Sequence, residues 1–278
     1  MAYDPYTAIW VSNTSFGDFL KCSRAYFLLH VRKDPVTRHT INIINPGMSL
    51  GAAVHDTLDS LVDLNSDERF SVPLTTRFEQ AWEKVTGLKG GFKNEKEEKE
   101  YKERGLSMIK RVMDNPGPLV NNVQKLNSPD HLPPRYILSE EENILLCGKV
   151  DWLEHFPEDD TLHIIDFKTG VHDEKPDSLQ LPIYCLLVKN LQSKKVKKIS
   201  FWYLDRQDKP TEMSLPDLDE AHRDILELAM RVKTLRQSGH YSCLANGCRW
   251  CEPLEAVLRG EAKLVGTSGN KDNYVLND

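Results

Sequence analysis

The chain has 278 residues, of which 40% are hydrophobic and 28% are charged, and its formal net charge is −6. This composition is typical of a globular protein with a packed core, and it argues against a chain that coats nucleic acid through bulk positive charge. A local basic cleft remains compatible with it, because phosphate binding depends on nearby charges and not on their sum.

The sequence also indicates a compartment. It contains no run of about 18 apolar residues, the length that a membrane-spanning helix needs. Its first residues lack the basic and apolar regions of a signal peptide. We therefore expect a cytoplasmic protein, in which the six cysteines are reduced, buried or metal-bound and not paired in disulfides.

Two amphipathic helices are predicted in the first quarter of the chain. The first begins at a capping residue, Ser12 or Thr14, and contains Cys22. The second covers residues 47–64, where apolar side chains recur with helical period and His55 lies on the same face. A histidine in such a position is more often a core residue than a metal ligand, so both interpretations stay open from the pattern alone.

Residues 65–134 are predicted to form a helical insertion lobe. The pattern from about residue 74 to residue 113 is helical and highly charged, and the Pro-Gly-Pro sequence after Asn115 ends it. The alternating charges at positions 95–100 indicate a solvated helix face.

The segment 144–170 is predicted to be a β-hairpin with three charged residues on one face. Strand alternation places Asp166 and Lys168 on the same face, and turn residues at 156–160 put Asp151 opposite Asp166. Opposed residues have Cβ atoms about 4.5–5.5 Å apart, and two carboxylates that close repel unless a cation or a proton lies between them. An oxygen-seeking ion such as Mg²⁺ would suit the pair. The alternative is an exposed hairpin whose charges face water.

The rest of the chain alternates helices with strands, which indicates a mixed α/β domain. The predicted elements are a helix at 178–191, strands at 199–204 and 211–215, and a helix at 219–237. Gln180 and Tyr184 share a face of the first of these helices, and Gly239 ends the last one. We interpret residues 1–278 as one domain in which residues 260–278 form a disordered tail.

Half of the cysteines lie within residues 239–253, which we interpret as a metal-binding segment. Cys243, Cys248 and Cys251 form C-x4-C-x2-C, a spacing that favours a zinc or an iron–sulfur site over core packing. A fourth ligand has to come from elsewhere, and Cys22 is the best candidate, although a buried inert thiol is the alternative there.

These motifs, taken in order, resemble those of the PD-(D/E)XK nuclease superfamily. The resemblance is to its RecB/AddB-like branch, which includes the CRISPR-associated RecB-like exonucleases with an iron–sulfur cluster. The matching motifs are S-F-x-x-F-x-x-C from Ser15, the pair Tyr26-Phe27, G-x-x-x-H from Gly51, G-K-V-D from Gly148, I-I-D-F-K-T-G from Ile164, Q-L-x-x-Y from Gln180, and the C-terminal cysteines. The family more often has its C-x2-C before the last cysteine, whereas here the wider gap comes first.

The resemblance implies a role for each matched position. The implied metal ligands are His55, Asp151, Asp166 and the backbone carbonyl of Phe167, with Mg²⁺ or Mn²⁺ as the ion. Asp151, Asp166 and Lys168 would be catalytic, and Lys168 would act on the attacking water or on the phosphate. Gln180 and Tyr184 would line the site and contact DNA. The implied ligands of a 4Fe-4S cluster are Cys22, Cys243, Cys248 and Cys251, with Zn²⁺ as the alternative.

The implied fold is an α/β, restriction endonuclease-like core with a mixed central sheet flanked by helices. The implied activity is a metal-dependent deoxyribonuclease, an exonuclease on single-stranded or frayed DNA in repair, recombination or CRISPR adaptation. Its partners would be DNA and a separate helicase or adaptation protein, and we expect the lysine-rich residues 194–198 on the DNA path. The alternatives are a non-catalytic DNA-binding or scaffold module and a restriction-type endonuclease.

Overall fold

A computed structural model describes residues 7–126 and 132–277 of the chain. The strands are β1 (Ile9–Val11), β2 (Thr40–Ile43), β3 (Arg135–Ser139), β4 (Ile144–Cys147), β5 (Trp152–Phe156), β6 (Thr161–Lys168), β7 (Lys195–Tyr203), β8 (Thr211–Met213), β9 (Ala262–Ser268) and β10 (Lys271–Leu276). The helices are α1 (Asn13–Lys21), α2 (Ser23–Tyr26), α3 (Pro46–Asp59), α4 (Leu74–Trp82), α5 (Glu95–Asp114), α6 (Gln180–Leu191), α7 (Leu218–Ser238) and α8 (Glu252–Leu258). The predicted α/β class is confirmed.

The strands within the described residues form three sheets, with strand orders β5–β6–β7–β8, β1–β4–β3 and β2–β10–β9. In the four-stranded sheet β6 is parallel to β7, whereas the two outer pairs are antiparallel. Each smaller sheet also combines one parallel and one antiparallel pair. The sheets are therefore mixed, as the resemblance implies for the central sheet.

Strand β6 lies at the centre of the fold because both of its faces are buried. Leu162 and Ile164 face a core that α6 and α7 cover, whereas Ile165 and Phe167 face a second core that α3, α4 and α5 cover. This period-two alternation is the predicted one. The strand consequently ends between two helical layers, and the side chain of Asp166 at that end is enclosed.

A buried polar chain crosses the sheet near its middle. The imidazole of His163 lies 2.7 Å from Glu154 Oε2 through Nδ1 and 2.8 Å from Ser200 Oγ through Nε2, which links β6 to β5 and β7. The order of groups is that of a serine hydrolase triad, but all three residues are at most 4% exposed. They are too buried for a substrate to reach them. We therefore interpret these hydrogen bonds as structural contacts that fix the register of β5, β6 and β7.

Helices α4 and α5 belong to the segment 65–134, of which residues 127–131 lie outside the described part of the chain. These two helices pack on α3 and share a core with Trp152 and Trp202 of the sheet. A Cβ added to Gly105 would lie 2.5 Å from the ring of Phe78, so the glycine permits the close approach of α5 to α4. The charged face of α5 is largely exposed, as predicted.

Two predicted elements are broken where the chain has to turn. The first helix stops at Cys22, whose extended backbone (φ −167°, ψ 121°) separates α1 from α2. The predicted strand 144–153 is interrupted between β4 and β5. At this break a Cβ on Gly148 would lie 2.9 Å from Leu187 Cδ1, which places α6 directly against the backbone there.

The prediction of a disordered tail at residues 260–278 is wrong for the part that is described. Residues 262–276 form the antiparallel hairpin of β9 and β10, and β10 pairs in parallel with β2. Tertiary pairing with a distant strand stabilises this polar segment, and its own sequence pattern carries no sign of that pairing. The C-terminal hairpin therefore shares a sheet with β2 from the N-terminal part of the chain.

None of the helices in the described ranges is long and apolar enough to cross a membrane.

Candidate active site and cysteine centre

The implied active-site residues meet at one end of the four-stranded sheet. The β5–β6 register runs from Phe156↔Thr161 to Trp152↔Ile165, so Asp151 follows the last pair and lies level with Asp166. No shift interrupts this register, and the predicted opposition of the two aspartates is thereby reproduced. On the other side of β6, Lys168 lies beside Tyr203 of β7.

Asp151 is held between the backbone of β6 and a histidine of α3. Its Oδ2 accepts a hydrogen bond of 2.9 Å from the backbone N–H of Phe167, and its Oδ1 lies 3.4 Å from Nδ1 of His55. Burial alone would lower the pKa of His55, but Asp151 and Asp166 together raise it above its ordinary value. His55 therefore faces the carboxylates and is not a core residue without a polar partner.

Asp166 is the most enclosed group of the site, with 1% of its surface exposed. Its Oδ1 accepts from Gln180 Nε2 at 2.5 Å and its Oδ2 lies 2.9 Å from Lys168 Nζ, although Oδ2 makes no well-aligned hydrogen bond. Burial and the negative charge of Asp151 raise the pKa of Asp166 to about 7. The positive groups near Asp166 thus do not compensate for its burial and for the negative charge of Asp151.

Gln180 and Tyr184, at the start of α6, complete the network on the face of β6 that α6 covers. The amide nitrogen of Gln180 donates to Asp166 and also lies 3.0 Å from the hydroxyl of Tyr184, while its amide oxygen accepts from Lys168. Burial raises the pKa of Tyr184, so its phenol stays protonated and available as a donor. Gln180 therefore bonds directly to the acid and the lysine, and Tyr184 is joined to them through Gln180.

The second centre is the group of four cysteines, which lie before and after the active-site residues in the sequence. The sulfur atoms of Cys22, Cys243, Cys248 and Cys251 all lie within 4.8 Å of one another. Among the described residues this is the one set of three or more His, Cys, Asp or Glu side chains with ligand atoms that close together. Cys22 lies at the break between α1 and α2, and Cys251 is the N-cap of α8.

Other contacts hold the same two segments together around the sulfurs. Arg24 Nε pairs with Glu255 Oε1 at 2.5 Å, and Ser23 Oγ donates to the carbonyl of Ser242 at 2.6 Å. Backbone N–H groups of the following turn lower the pKa of Cys248 to about 7, which favours the thiolate that binds metal. The cysteine group thus joins the N-terminal helix to the C-terminal segment, the arrangement that the resemblance implies.

Comparison with known families agrees with this geometry. Residues 11–255 match the model of the PD-(D/E)XK nuclease superfamily, which is most of the chain. The chain belongs to this superfamily. A search of the curated proteins found no match. Membership indicates a metal-dependent nuclease that acts on DNA, and the superfamily core accounts for a mixed sheet with its acidic residues at one end.

The acidic end of this PD-(D/E)XK core fits a divalent cation. Its donors are carboxylate oxygens and one imidazole, and the charge imbalance at Asp166 is what a cation would correct. In the structure one oxygen of Asp151 and one of Asp166 accept hydrogen bonds from protein donors. The ligand atoms at this end of the sheet therefore lie farther apart than the cysteine sulfurs do. His55, Asp151 and Asp166 would hold the ion, which when bound would polarise the phosphate and activate a water.

The backbone carbonyl of Phe167 faces the same side as these donors. The carbonyl of Lys168 accepts a hydrogen bond from Leu204, which directs it towards the β7 side. Successive residues of a strand direct their backbone groups to opposite edges, so the N–H and C=O of Phe167 are directed away from β7. The N–H bonds to Asp151, which agrees with this direction.

Sequence analysis missed two charged residues of this nuclease site. Arg104 of α5 donates to the carbonyl of Thr169 at 2.8 Å and pairs with Asp205 at 3.1 Å, which joins the ends of β6 and β7. Glu174, in the loop after β6, lies 3.1 Å from Lys168 Nζ. Arg104 lies in the charged helical pattern just after the predicted solvated face at 95–100, and Glu174 lies in a loop without a motif, so neither residue carries a local signal.

The lysine-rich residues 194–198, expected on the DNA path, lie at the end of the four-stranded sheet opposite to the candidate active site. Lys195 pairs with Thr161, whereas Lys168 pairs with Tyr203, so seven strand steps of about 3.3 Å separate the run from the site by roughly 23 Å. Acidic partners also neutralise it, since Lys194 lies 2.8 Å from Asp160.

We therefore expect the double substitution Lys194→Glu/Lys197→Glu to leave DNA affinity and its salt dependence unchanged. A charge that contacts no phosphate releases no counterion on binding, so it adds nothing to the slope of log K against log salt. The measurement is fluorescence anisotropy of a labelled single strand from 50 to 200 mM salt. Lys149→Glu, two residues from Asp151, is the comparison variant and should weaken binding. A shallower salt slope in the double variant would return the run to the DNA path.

Proposed function

We propose that this nuclease is a Mg²⁺- or Mn²⁺-dependent DNA exonuclease of the RecB/AddB-like branch. It would act on single-stranded or frayed ends in repair, recombination or CRISPR adaptation, together with a separate helicase or adaptation protein. The observation that carries the proposal is the direct bonding of Gln180 to Asp166, Lys168 and Tyr184. A scaffold has no need of a buried acid and lysine joined in this way.

The residues divide the chemistry of phosphodiester hydrolysis among them. Asp151 and Asp166 supply negative oxygens for a cation at the sheet end, and the ammonium of Lys168 lies 2.9 Å from Asp166, within reach of a water or phosphate oxygen there. Gln180 fixes the relative position of acid and lysine, because one amide bonds both. The hydroxyl of Tyr184 accepts from Gln180 Nε2 at 3.0 Å, and its raised pKa keeps the phenol protonated and able to donate to a substrate oxygen. Each of these five side chains thus lies at the reacting groups or bonds to a residue that does.

The test is digestion of end-labelled DNA with each metal in turn. We expect a linear single strand to be degraded in Mg²⁺ or Mn²⁺ and to survive in EDTA, whereas a circular single strand of similar length survives throughout. Separate 5′ and 3′ labels then give the polarity.

Two outcomes would contradict the proposal in different ways. Cleavage of the circle would make the protein an endonuclease of restriction type. Folded protein that binds linear DNA but cuts it in neither metal would support the non-catalytic scaffold.

For the cysteine centre we propose a structural metal whose identity the sulfur spacing helps to decide. Tetrahedral Zn²⁺ with Zn–S bonds of about 2.3 Å places its sulfurs about 3.8 Å apart. The sulfurs of Cys248 and Cys251 lie 3.7 Å apart, which suits a single ion. A 4Fe-4S cluster, which the resemblance implies, binds each cysteine to a different iron and would require the four sulfurs to spread. Metal content and colour of anaerobically purified protein separate the two occupants.

A further inference from the structure

The loop between β6 and α6 brings one acidic side chain into the active site. Residues 171–177 are exposed except for Glu174, which is turned inward. Its backbone N–H donates to the hydroxyl of Tyr203 at 2.9 Å, and its Oε1 accepts from Ser178 Oγ at 2.9 Å. Its other oxygen, Oε2, lies 3.1 Å from Lys168 Nζ. One backbone contact and one carboxylate contact therefore hold Glu174 in the position from which it reaches the lysine.

Glu174 is one of three oxygen-bearing groups around the ammonium of Lys168. Gln180 Oε1 accepts a hydrogen bond from Nζ, and carboxylate oxygens of Asp166 and Glu174 lie 2.9 and 3.1 Å from it. A lysine ammonium has three N–H donors and no acceptor, so three oxygen neighbours match its capacity. A phosphate oxygen or a water that approaches Lys168 therefore competes with one of them.

Of the three partners, Glu174 is the one that can leave. Asp166 is buried in the sheet end, and Gln180 bonds to Asp166 and Tyr184 as well as to the lysine. The side chain of Glu174 is 30% exposed and belongs to a loop. A carboxylate and a phosphate oxygen are both anionic acceptors for an ammonium, so the two compete for the same donor.

We propose that Glu174 occupies the place of a substrate phosphate oxygen on Lys168 and is displaced when DNA binds. The proposal rests on the nuclease function above and adds a residue that sets substrate affinity. In the DNA-free protein the carboxylate holds Lys168 in position, and a substrate phosphate oxygen has to displace it to reach the ammonium. Its removal should therefore strengthen DNA binding and lower KM while kcat stays nearly constant.

The test compares DNA binding by wild type and Glu174→Gln, with a labelled 20-nucleotide single strand in EDTA so that cleavage does not intervene. We expect binding about two- to fivefold tighter for the variant, the range for loss of one partly exposed charge interaction. Asp173→Asn is the matched control. It removes the same charge from the same loop, but Asp173 pairs with Arg206 and not with Lys168.

A double-mutant cycle separates competition at Lys168 from a general charge effect. If Glu174 competes for the lysine, the gain from Glu174→Gln disappears in a Lys168→Ala background. A gain that persists there, or that Asp173→Asn reproduces, overturns the proposal. Weaker DNA binding by Glu174→Gln would also overturn it, because Glu174 would then support the bound state. Loss of Mn²⁺-induced thermal stabilisation would overturn it as well, because Glu174 would then be a metal ligand. Wild type that neither binds nor cuts DNA would contradict the nuclease function itself.

Discussion

Asp166→Asn is expected to abolish metal-dependent DNA cleavage, with a fall of at least about 10³-fold in kcat, while the protein stays folded. Asparagine has nearly the same shape, and its amide oxygen still accepts the hydrogen bond from Gln180. It lacks the negative charge that a divalent ion requires. The measurements are cleavage rates with saturating Mn²⁺ and the melting temperature with and without the ion. Mn²⁺ should raise the melting temperature of wild type and leave that of the variant unchanged.

The same substitution should remove a pH dependence of stability from the metal-free protein. The pKa of Asp166 is about 7 in the folded state, against about 3.9 for an unfolded aspartate. Between these values the folded state binds more protons than the unfolded state, so stability falls as pH rises from about 4 to about 7. The difference in melting temperature between wild type and Asp166→Asn in EDTA isolates this contribution. An identical pH profile for both proteins would contradict the raised pKa.

Lys168→Ala is the comparison that separates metal binding from catalysis. We expect it to lose about 10²- to 10³-fold in kcat but to keep the Mn²⁺-induced rise in melting temperature, since both aspartates remain. Lys175→Ala, an exposed lysine on the same loop, should behave like wild type. If both Asp166→Asn and Lys168→Ala cleave DNA at the wild-type rate, the assigned active site is wrong.

The sheet end was predictable because its determinants are local. The alternation along β6 and the turn chemistry at 156–160 fix the side of each residue and the β5–β6 register, and these put Asp151 level with Asp166. Gly239 ends α7 in a left-handed conformation, with φ 67°, as its position after the apolar pattern predicts. A short period and a short turn leave few alternative pairings.

Features that depend on distant segments were not predictable in this way. The hairpin of β9 and β10 is stabilised by β2, which lies more than 200 residues earlier in the chain. The break of the first helix at Cys22 is also understood only together with Cys243, Cys248 and Cys251, since it directs the sulfur towards theirs. Glu174 reaches Lys168 through a loop whose path no sequence period describes.

The remaining large effect concerns the cysteine centre, where Cys251→Ser is expected to eliminate bound metal and lower the melting temperature by about 10 °C or more. Binding free energies of structural zinc sites are on the order of 10 kcal/mol, and part of that is lost as folding free energy. Cys147→Ser is the matched control, because its thiol lies outside the group and faces the carbonyl of Val11. Metal stoichiometry by mass spectrometry and thermal unfolding are the two readouts.

The size of this effect follows from the sequence distance that the metal bridges. A link between Cys22 and Cys251 closes a loop of nearly the whole chain, and longer closed loops remove more entropy from the unfolded state. It also anchors α8, from which the chain continues to β9 and β10. Below the lowered melting temperature the variant should still cleave DNA. In the described part of the chain, no cysteine of the group contacts Asp151, Asp166 or Lys168. Loss of cleavage in folded Cys251→Ser would instead make the centre part of the active site.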